Sequence, residues 1–187
     1  MSGIATYCKD LAYNISTPIA ATRKTPWMLL DKKAVAMGGG LTHRLSLNDW
    51  VMVKDNHLKV LQNELHISAE AAVSETIIRL LAKKNPFFEI EVATPQQAIV
   101  AVETLHATSL QKQPMAIMLD NFTPETVKQT ITDLQKSPVY ENIIIEASGG
   151  ITEKNLSDWD KTGADIISLG SLTHSSPNFD VSMRFQD

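Results

Sequence analysis

Apolar residues recur along this chain with two alternating periods. A helical spacing puts Ile4, Cys8, Leu11, Ala12 and Ile15 on one face over residues 3–16, and Thr17-Pro18 stops it. Short apolar runs of strand length follow at 18–22, 51–53, 87–92, 115–119, 143–145 and 166–169. Between them, helical patterns run from Thr25-Pro26 towards Met37, where Gly38-Gly39-Gly40 ends the helix, and from Ser68 to about Lys84. Others run from Thr94-Pro95 to about Ala107, from Thr123-Pro124 onward, and from about Thr152 to Gly163. Residues 57–67 fit either type, and residues 108–113 read as a polar loop. The order strand, polar residue, Thr-Pro, helix occurs at 25–26, 94–95 and 123–124. Strands alternating with helices in this way predict a parallel sheet covered by helices.

The polar residues that interrupt this pattern refine the fold. Arg23, Lys24, Lys54, Glu91, Asp120, Ser148 and Gly170 all fall at, or one step from, the C-terminal end of an expected strand. A parallel α/β barrel gathers those ends on one face, where its active site lies, whereas a doubly wound sheet gathers them only at a switch point. The expected fold is therefore a single α/β domain over 1–187, an open or incomplete parallel barrel of six or seven strands. A chain of 187 residues is long enough to bury roughly 70% of its unfolded surface.

Charge is distributed unevenly. Residues 1–60 hold eight Lys and Arg against four Asp and Glu, while residues 61–187 hold nine against seventeen. A basic block inside an acidic protein points to a small anionic ligand and away from nucleic acid. The single Cys8 allows no internal disulfide, so a reducing compartment is the default, and its place on an apolar stripe marks it as a core residue. No apolar run approaches the roughly 18 to 20 residues of a membrane span, and Lys9 and Asp10 interrupt any signal-peptide pattern. The expectation is a cytoplasmic protein that binds no membrane.

The block's chemistry lies in Arg23, Lys24, His43, Arg44 and Lys54, which sit beside strand ends and glycine breaks. Partly desolvated, they suit a dianionic ligand, and Arg adds bidentate geometry for carboxylates. Lys32, Lys33, Lys83 and Lys84 read instead as solvated helix residues. Gly149-Gly150 and Gly170-Ser171 follow the last two strands, where barrels often seat a phosphate, although simple tight turns remain the alternative. Glu91 and Asp120 face the cationic mouth, suited either to sugar hydroxyls and a substrate-borne Mg²⁺ or to structural ion pairs. Glu89 alternates with Glu91, so one of the two is expected to face the interior. His43 and His174 are the candidate functional histidines; His57, His66 and His106 read as structural or exposed.

Seven motifs carry a resemblance: Thr-Arg-Lys-Thr (22–25), Gly-Gly-Gly-x-x-His-Arg (38–44), Lys-Asp-Asn-His (54–57), Glu-x-Glu (89–91), Leu-Asp-Asn (119–121), Glu-Ala-Ser-Gly-Gly-Ile (146–151) and Gly-Ser-Leu-Thr-His (170–174). In this order they resemble the barrel domain of the quinolinate phosphoribosyltransferases of NAD biosynthesis. That family joins quinolinate to phosphoribosyl pyrophosphate, releasing pyrophosphate and CO₂ and leaving nicotinate mononucleotide. The resemblance implies that Arg23, His43, Arg44 and Lys54 grip quinolinate, and that Lys24 reaches phosphoribosyl pyrophosphate. It implies that Glu91 and Asp120 take the ribose hydroxyls and the Mg²⁺-bound substrate. Ser148, Gly149, Gly150, Gly170, Ser171 and His174 would seat the 5′-phosphate, with Lys24, Lys54, Glu91 and Asp120 closest to the chemistry. A homodimer or higher homo-oligomer is also implied, because the family's N-terminal domain lends an arginine to the neighbouring subunit. That domain is expected to be absent here, leaving the opening helix with an uncovered face. Ala21 stands where much of the family has Asp, and Pro26-Trp27-Met28 replaces a Pro-Gly turn. Two other readings stand beside this one. One is a remnant that binds phosphoribosyl or dicarboxylate ligands without turnover, and the other is an aldolase with Lys54 as a Schiff-base lysine. A molybdenum-associated paralogue group shares Thr-Arg-Lys-Thr and His-Arg, but the intact Lys54-Asp55-Asn56-His57 argues against it.

Overall fold

In the computed structural model, residues 1–108, 112–178 and 180–185 are described. The elements in chain order are α1 (Ser2–Tyr13), β1 (Ile19–Ala21), α2 (Leu29–Met37), β2 (Val51–Val53), α3 (Asp55–Leu65), α4 (Ala69–Ala82), β3 (Phe88–Val92) and α5 (Pro95–Ala107). They continue with β4 (Met115–Asp120), α6 (Pro124–Leu134), a 3₁₀ turn (Tyr140–Asn142), β5 (Ile143–Ser148), α7 (Leu156–Trp159), β6 (Ile166–Leu169) and α8 (Ser171–His174). All six strands pair in parallel in the order β1-β6-β5-β4-β3-β2. That is the sequential winding of a barrel with one seam, between β1 and β2, left unpaired. On the β1 side, Leu41 extends the sheet by a single parallel bridge to Ala20, held by Ala21 N–H to Leu41 O and Leu41 N–H to Ile19 O. The expected open parallel barrel is thus found with six strands.

Strand periodicity divides the side chains between two environments. Phe88, Ile90, Val92, Ile117, Leu119, Ile145 and Ala147 are buried with the apolar faces of the helices in the main core. Their neighbours Glu89, Glu91, Met118, Asp120, Glu146 and Ser148 point the other way, into the barrel, and cross-strand pairing sets Glu91 beside Met118, Met118 beside Glu146, and Asp120 beside Ser148. Residues two apart on a strand share a face, so Glu89 and Glu91 both face inward, correcting the expectation that only one would.

Several local expectations hold. Ser68, Thr94 and Thr123 each cap a helix, their hydroxyls accepting from Ala71, Gln97 and Thr126 N–H at 3.2 Å. Cys8 is buried, its thiol close enough to Gly40 that a Cβ there would lie 2.6 Å from Sγ. The ambiguous stretch 57–67 is mostly helix, with His57 Nδ1 accepting the Lys54 N–H in the first turn of α3. Within the expected loop at 108–113, residues 109–111 lie outside the described residues.

Three expectations need correction. Thr25-Pro26 does not start α2: that helix begins at Leu29 behind Met28, whose φ is 46°, and Asp31 Oδ2 takes the Trp27 N–H at 2.9 Å. The helix expected from Thr152 to Gly163 is only four residues long. Asn155 Oδ1 accepts Thr152 N–H before it, and after it the Asp160 carboxylate turns away to accept the Ser16 and Thr17 amides. The apolar stripe of α1 is covered, with Ile4, Cys8 and Leu11 in the core, while Tyr13 at the end of the helix is exposed, as are Trp27, Leu29, Met37 and Leu47 elsewhere. Among the described residues no helix is long and apolar enough to cross a membrane.

Candidate active site

The C-terminal strand ends enclose a cavity of about 330 Å³ lined by Arg23, Lys24, His43, Arg44 and Lys54 on one side and Glu91, Asp120, Glu146, Ser148 and Ser168 on the other. Sequence segments from 23 to 168 therefore meet in one mouth, and all five cations of the basic block reach it. A second cavity of about 640 Å³ shares Thr22, Lys24, Asp120, Ser148 and Ser168 with the first and continues to Gly149, Gly150, Gly170, Ser171 and His174. A third, of about 460 Å³, shares Glu91 and Asp120 and extends to Asp55, Asn56, Lys59 and Asn121. The expected cationic pocket and glycine-lined seat are two ends of one continuous depression.

Each cation meets a different environment. Lys54 Nζ pairs with Glu91 at the rim. Arg44 is 6% exposed and donates to Met52 Sδ and, at 3.5 Å, to Trp50 O. Burial lowers its pKa from the ordinary value, with Glu89 opposing that shift and Arg23 adding to it. The Nε atoms of Arg23 and Arg44 are buried with no hydrogen-bond partner among the described residues. A buried donor left unpaired costs about 1–3 kcal/mol, so an acceptor group arriving there is stabilised.

His43 is held in the left-handed region at φ 53°, a conformation that disfavours most side chains. Its Nε2 lies 3.3 Å from Glu89 and 3.2 Å from Glu146, both almost fully buried. Burial disfavours charge on the ring, but Glu146 and Glu89 together outweigh it and raise the pKa to about 9. Nδ1 accepts the Arg44 N–H at 2.8 Å, which places the retained proton on Nε2 and works against a second one. Ser168 Oγ donates to Glu146 and Trp50 Nε1 to Glu89, completing the cluster. The three ligand atoms lie within 4.8 Å of one another, a set that could also hold a metal ion.

The glycine turn is shaped by close approach. Gly149 has φ 90°, and a Cβ there would sit 2.5 Å from the Asn121 backbone nitrogen, whose N–H donates to Ser148 O. At Gly170 a Cβ would lie 2.7 Å from His174 Nε2. Space, and at Gly149 backbone sign as well, exclude side chains from this seat.

Three buried charges escaped the sequence reading: Asp31, Lys32 and Glu146. Glu146 carried a usable signal, being a lone acid within the most apolar strand. Lys32, read as solvated, is 2% exposed and donates to Ala21 O at 2.8 Å and to Thr42 O. Nothing local distinguishes it from the exposed Lys33 beside it. Glu91 and Asp120 border a shared opening and fit a Mg²⁺ that arrives on a phosphorylated substrate, because such ions use one or two carboxylates plus phosphate oxygens.

Comparison with known proteins gives a consistent result. The model of the family described as "Quinolinate phosphoribosyl transferase, C-terminal domain" matches residues 4–184. The chain is 36% identical over its full length to the probable carboxylating nicotinate-nucleotide pyrophosphorylase of Methanothermobacter thermautotrophicus, spanning 64% of that protein. It is 38% identical to the similarly named protein of Archaeoglobus fulgidus, with 98% of this chain and 67% of that one covered. The crystal structure of NadC from Streptococcus pyogenes superposes on 98% of the chain with a TM-score of 0.77 at 32% identity, and 59% of that chain is covered.

Proposed function

The chain belongs to the quinolinate phosphoribosyl transferase family through its C-terminal domain, and from that premise we propose that it carries the site which transfers a phosphoribosyl group to quinolinate in NAD biosynthesis. The observation that carries the reading is the single mouth where Arg23, His43, Arg44 and Lys54 face Glu91 and Asp120 and open onto the glycine-lined seat. The spacing suits a planar dicarboxylate at one end and a 5′-phosphate at the other, with the sugar between.

Arg23, Arg44 and Lys54 orient the two carboxylates so that the ring nitrogen faces the anomeric carbon, while His43, its Nε2 engaged by Glu89 and Glu146, lines their pocket and holds the Arg44 backbone in place through Nδ1. The bond from nitrogen to that carbon forms as the bond from carbon to pyrophosphate breaks. The 2-carboxylate then leaves as CO₂, and its bonding electrons stay on the ring until a proton replaces it. Lys24 lies on the wall common to both cavities and meets the pyrophosphate. Glu91 and Asp120 offer negative charge to the electron-poor ribose centre and its hydroxyls. Gly149, Gly150, Gly170, Ser148, Ser171 and His174 hold the 5′-phosphate. Mg²⁺, held by Glu91 and Asp120 with the substrate's phosphates, would neutralise charge on the leaving group. The exposed Trp27, Leu29 and Leu47, in the segment between β1 and β2, favour pairing with a second copy. Against an aldolase, Lys54 is engaged in an ion pair with Glu91 and has no free amine in an apolar pocket.

The test supplies the protein with quinolinate and phosphoribosyl pyrophosphate and follows pyrophosphate and nicotinate mononucleotide. Both products are expected, and Arg44→Ala should weaken quinolinate binding by about 2 kcal/mol or more. Binding of both substrates with no pyrophosphate release would leave the remnant reading, and no quinolinate binding at all would overturn the assignment.

A further inference from the structure

Among the described residues Lys32 is the only buried lysine, and it lines neither the cationic cavity nor the glycine seat. It reaches from α2 to two backbone carbonyls. Ala21 O ends β1 immediately before Thr22-Arg23-Lys24, and Thr42 O immediately precedes His43-Arg44. Between these two loops the backbone pairing consists of the bridge at Leu41. One ammonium therefore closes the end of a ladder that is otherwise only two hydrogen bonds long, at the unpaired seam of the barrel. The two loops it joins carry four of the five cations in the site.

We propose that Lys32 is a positioning residue for the dicarboxylate end of the site, clamping the Arg23-Lys24 loop to the His43-Arg44 loop. The inference rests on the function proposed above and adds a residue that touches no substrate. Charge-assisted hydrogen bonds of this kind are stronger than neutral ones, so the clamp depends on the proton. The charged groups facing Lys32 are Arg23 and Arg44, which oppose its charge, and Glu146 and Asp49, which favour it. With burial the largest influence, its pKa falls to about 8. An anion seated between Arg23 and Arg44 adds negative charge nearby and shifts that value back up. By linkage, binding the anion then takes up protons at and above about pH 8, and affinity declines as pH rises through that region.

Calorimetric titration of quinolinate into the wild type and Lys32→Met between about pH 6.5 and 9.5 tests this. Lys32→Met keeps the side-chain length and removes the charge and the donors. At pH 7 the variant should bind quinolinate about tenfold more weakly, within the range of typical coupling energies. Ribose 5-phosphate, which probes the glycine seat alone, should bind both proteins equally. The part of the affinity change centred near pH 8 should vanish in the variant, while a later step set by His43, whose pKa is about 9, remains. Unchanged quinolinate affinity in a wild type that binds it, or equal loss of both ligands by a folded variant, would overturn the clamp and leave the functional reading standing. A wild type that binds no quinolinate would remove both. Should the variant fail to fold, the wild type decides: titrations at pH 8 in buffers of different ionisation heat should register proton uptake, and none would refute the inference.

Discussion

Glu89 and Glu91 share one face of β3, yet their surroundings give them different work. Glu89 is sealed among His43, Trp50 and Glu146 and holds a histidine in a backbone conformation that needs support. Glu91, one layer nearer the mouth, holds Lys54 and borders the cavities. Lys32 and Lys33 make the same point from the other side: adjacent on α2, one is a buried clamp and the other is solvated. Gly149 gives the sharpest prediction at this scale. Gly149→Ala would meet both a positive φ and the Asn121 backbone, so it should lose about 2–3 kcal/mol of stability, the range for strained backbone with crowding. Urea unfolding reads that loss, and ribose 5-phosphate binding should fall with it. Wild-type values for both would mean the turn is not the seat described here.

At the scale of elements, the same dipeptide acts differently in different places. Thr94-Pro95 and Thr123-Pro124 start helices because the residues after them can take up helical dihedrals at once, leaving free N–H groups for the threonine hydroxyl. After Thr25-Pro26 the chain bends through Met28, and Asp31 satisfies the backbone in place of Thr25. Thr123→Ala should therefore cost about 1 kcal/mol, and Thr25→Ala no more than about 0.5 kcal/mol. The shift of the urea midpoint measures both, and equal losses would contradict the assigned helix start. Strand and helix types were legible because each depends on a local period. The overextended helix at 152–163 was not, because Asp160 is drawn away by amides more than 140 residues earlier in the chain.

For the whole molecule, sequential parallel winding places β4 and β5 at the centre of the sheet and leaves β2 at an edge with an exposed first residue. Amides of Ile117, Leu119 and Ile145 should exchange with deuterium slowest, near the rate set by global unfolding, while those of β2 exchange by local opening. Comparable protection in β2 and β4 would imply that something covers the seam in solution. The barrel was foreseeable because polar residues sat at so many strand ends, a one-dimensional pattern with one three-dimensional explanation. The gathering of Arg23, Lys54, Glu91, Asp120 and Gly149 around adjoining cavities was foreseeable for the same reason, since each lies at or just past the end of a strand.

Composition and periodicity alone set the order of elements, the face on which the chemistry gathers and the charge of the ligand it suits, because those depend on neighbours a few positions away. Which charges are buried, paired or left waiting for a ligand was decided by the fold. His43 meets Glu89 across 46 residues of chain, and Lys32 meets two loops that become neighbours only when the sheet closes. The energy of a charge depends on everything within a few ångströms of it, and that neighbourhood exists only once the chain is folded.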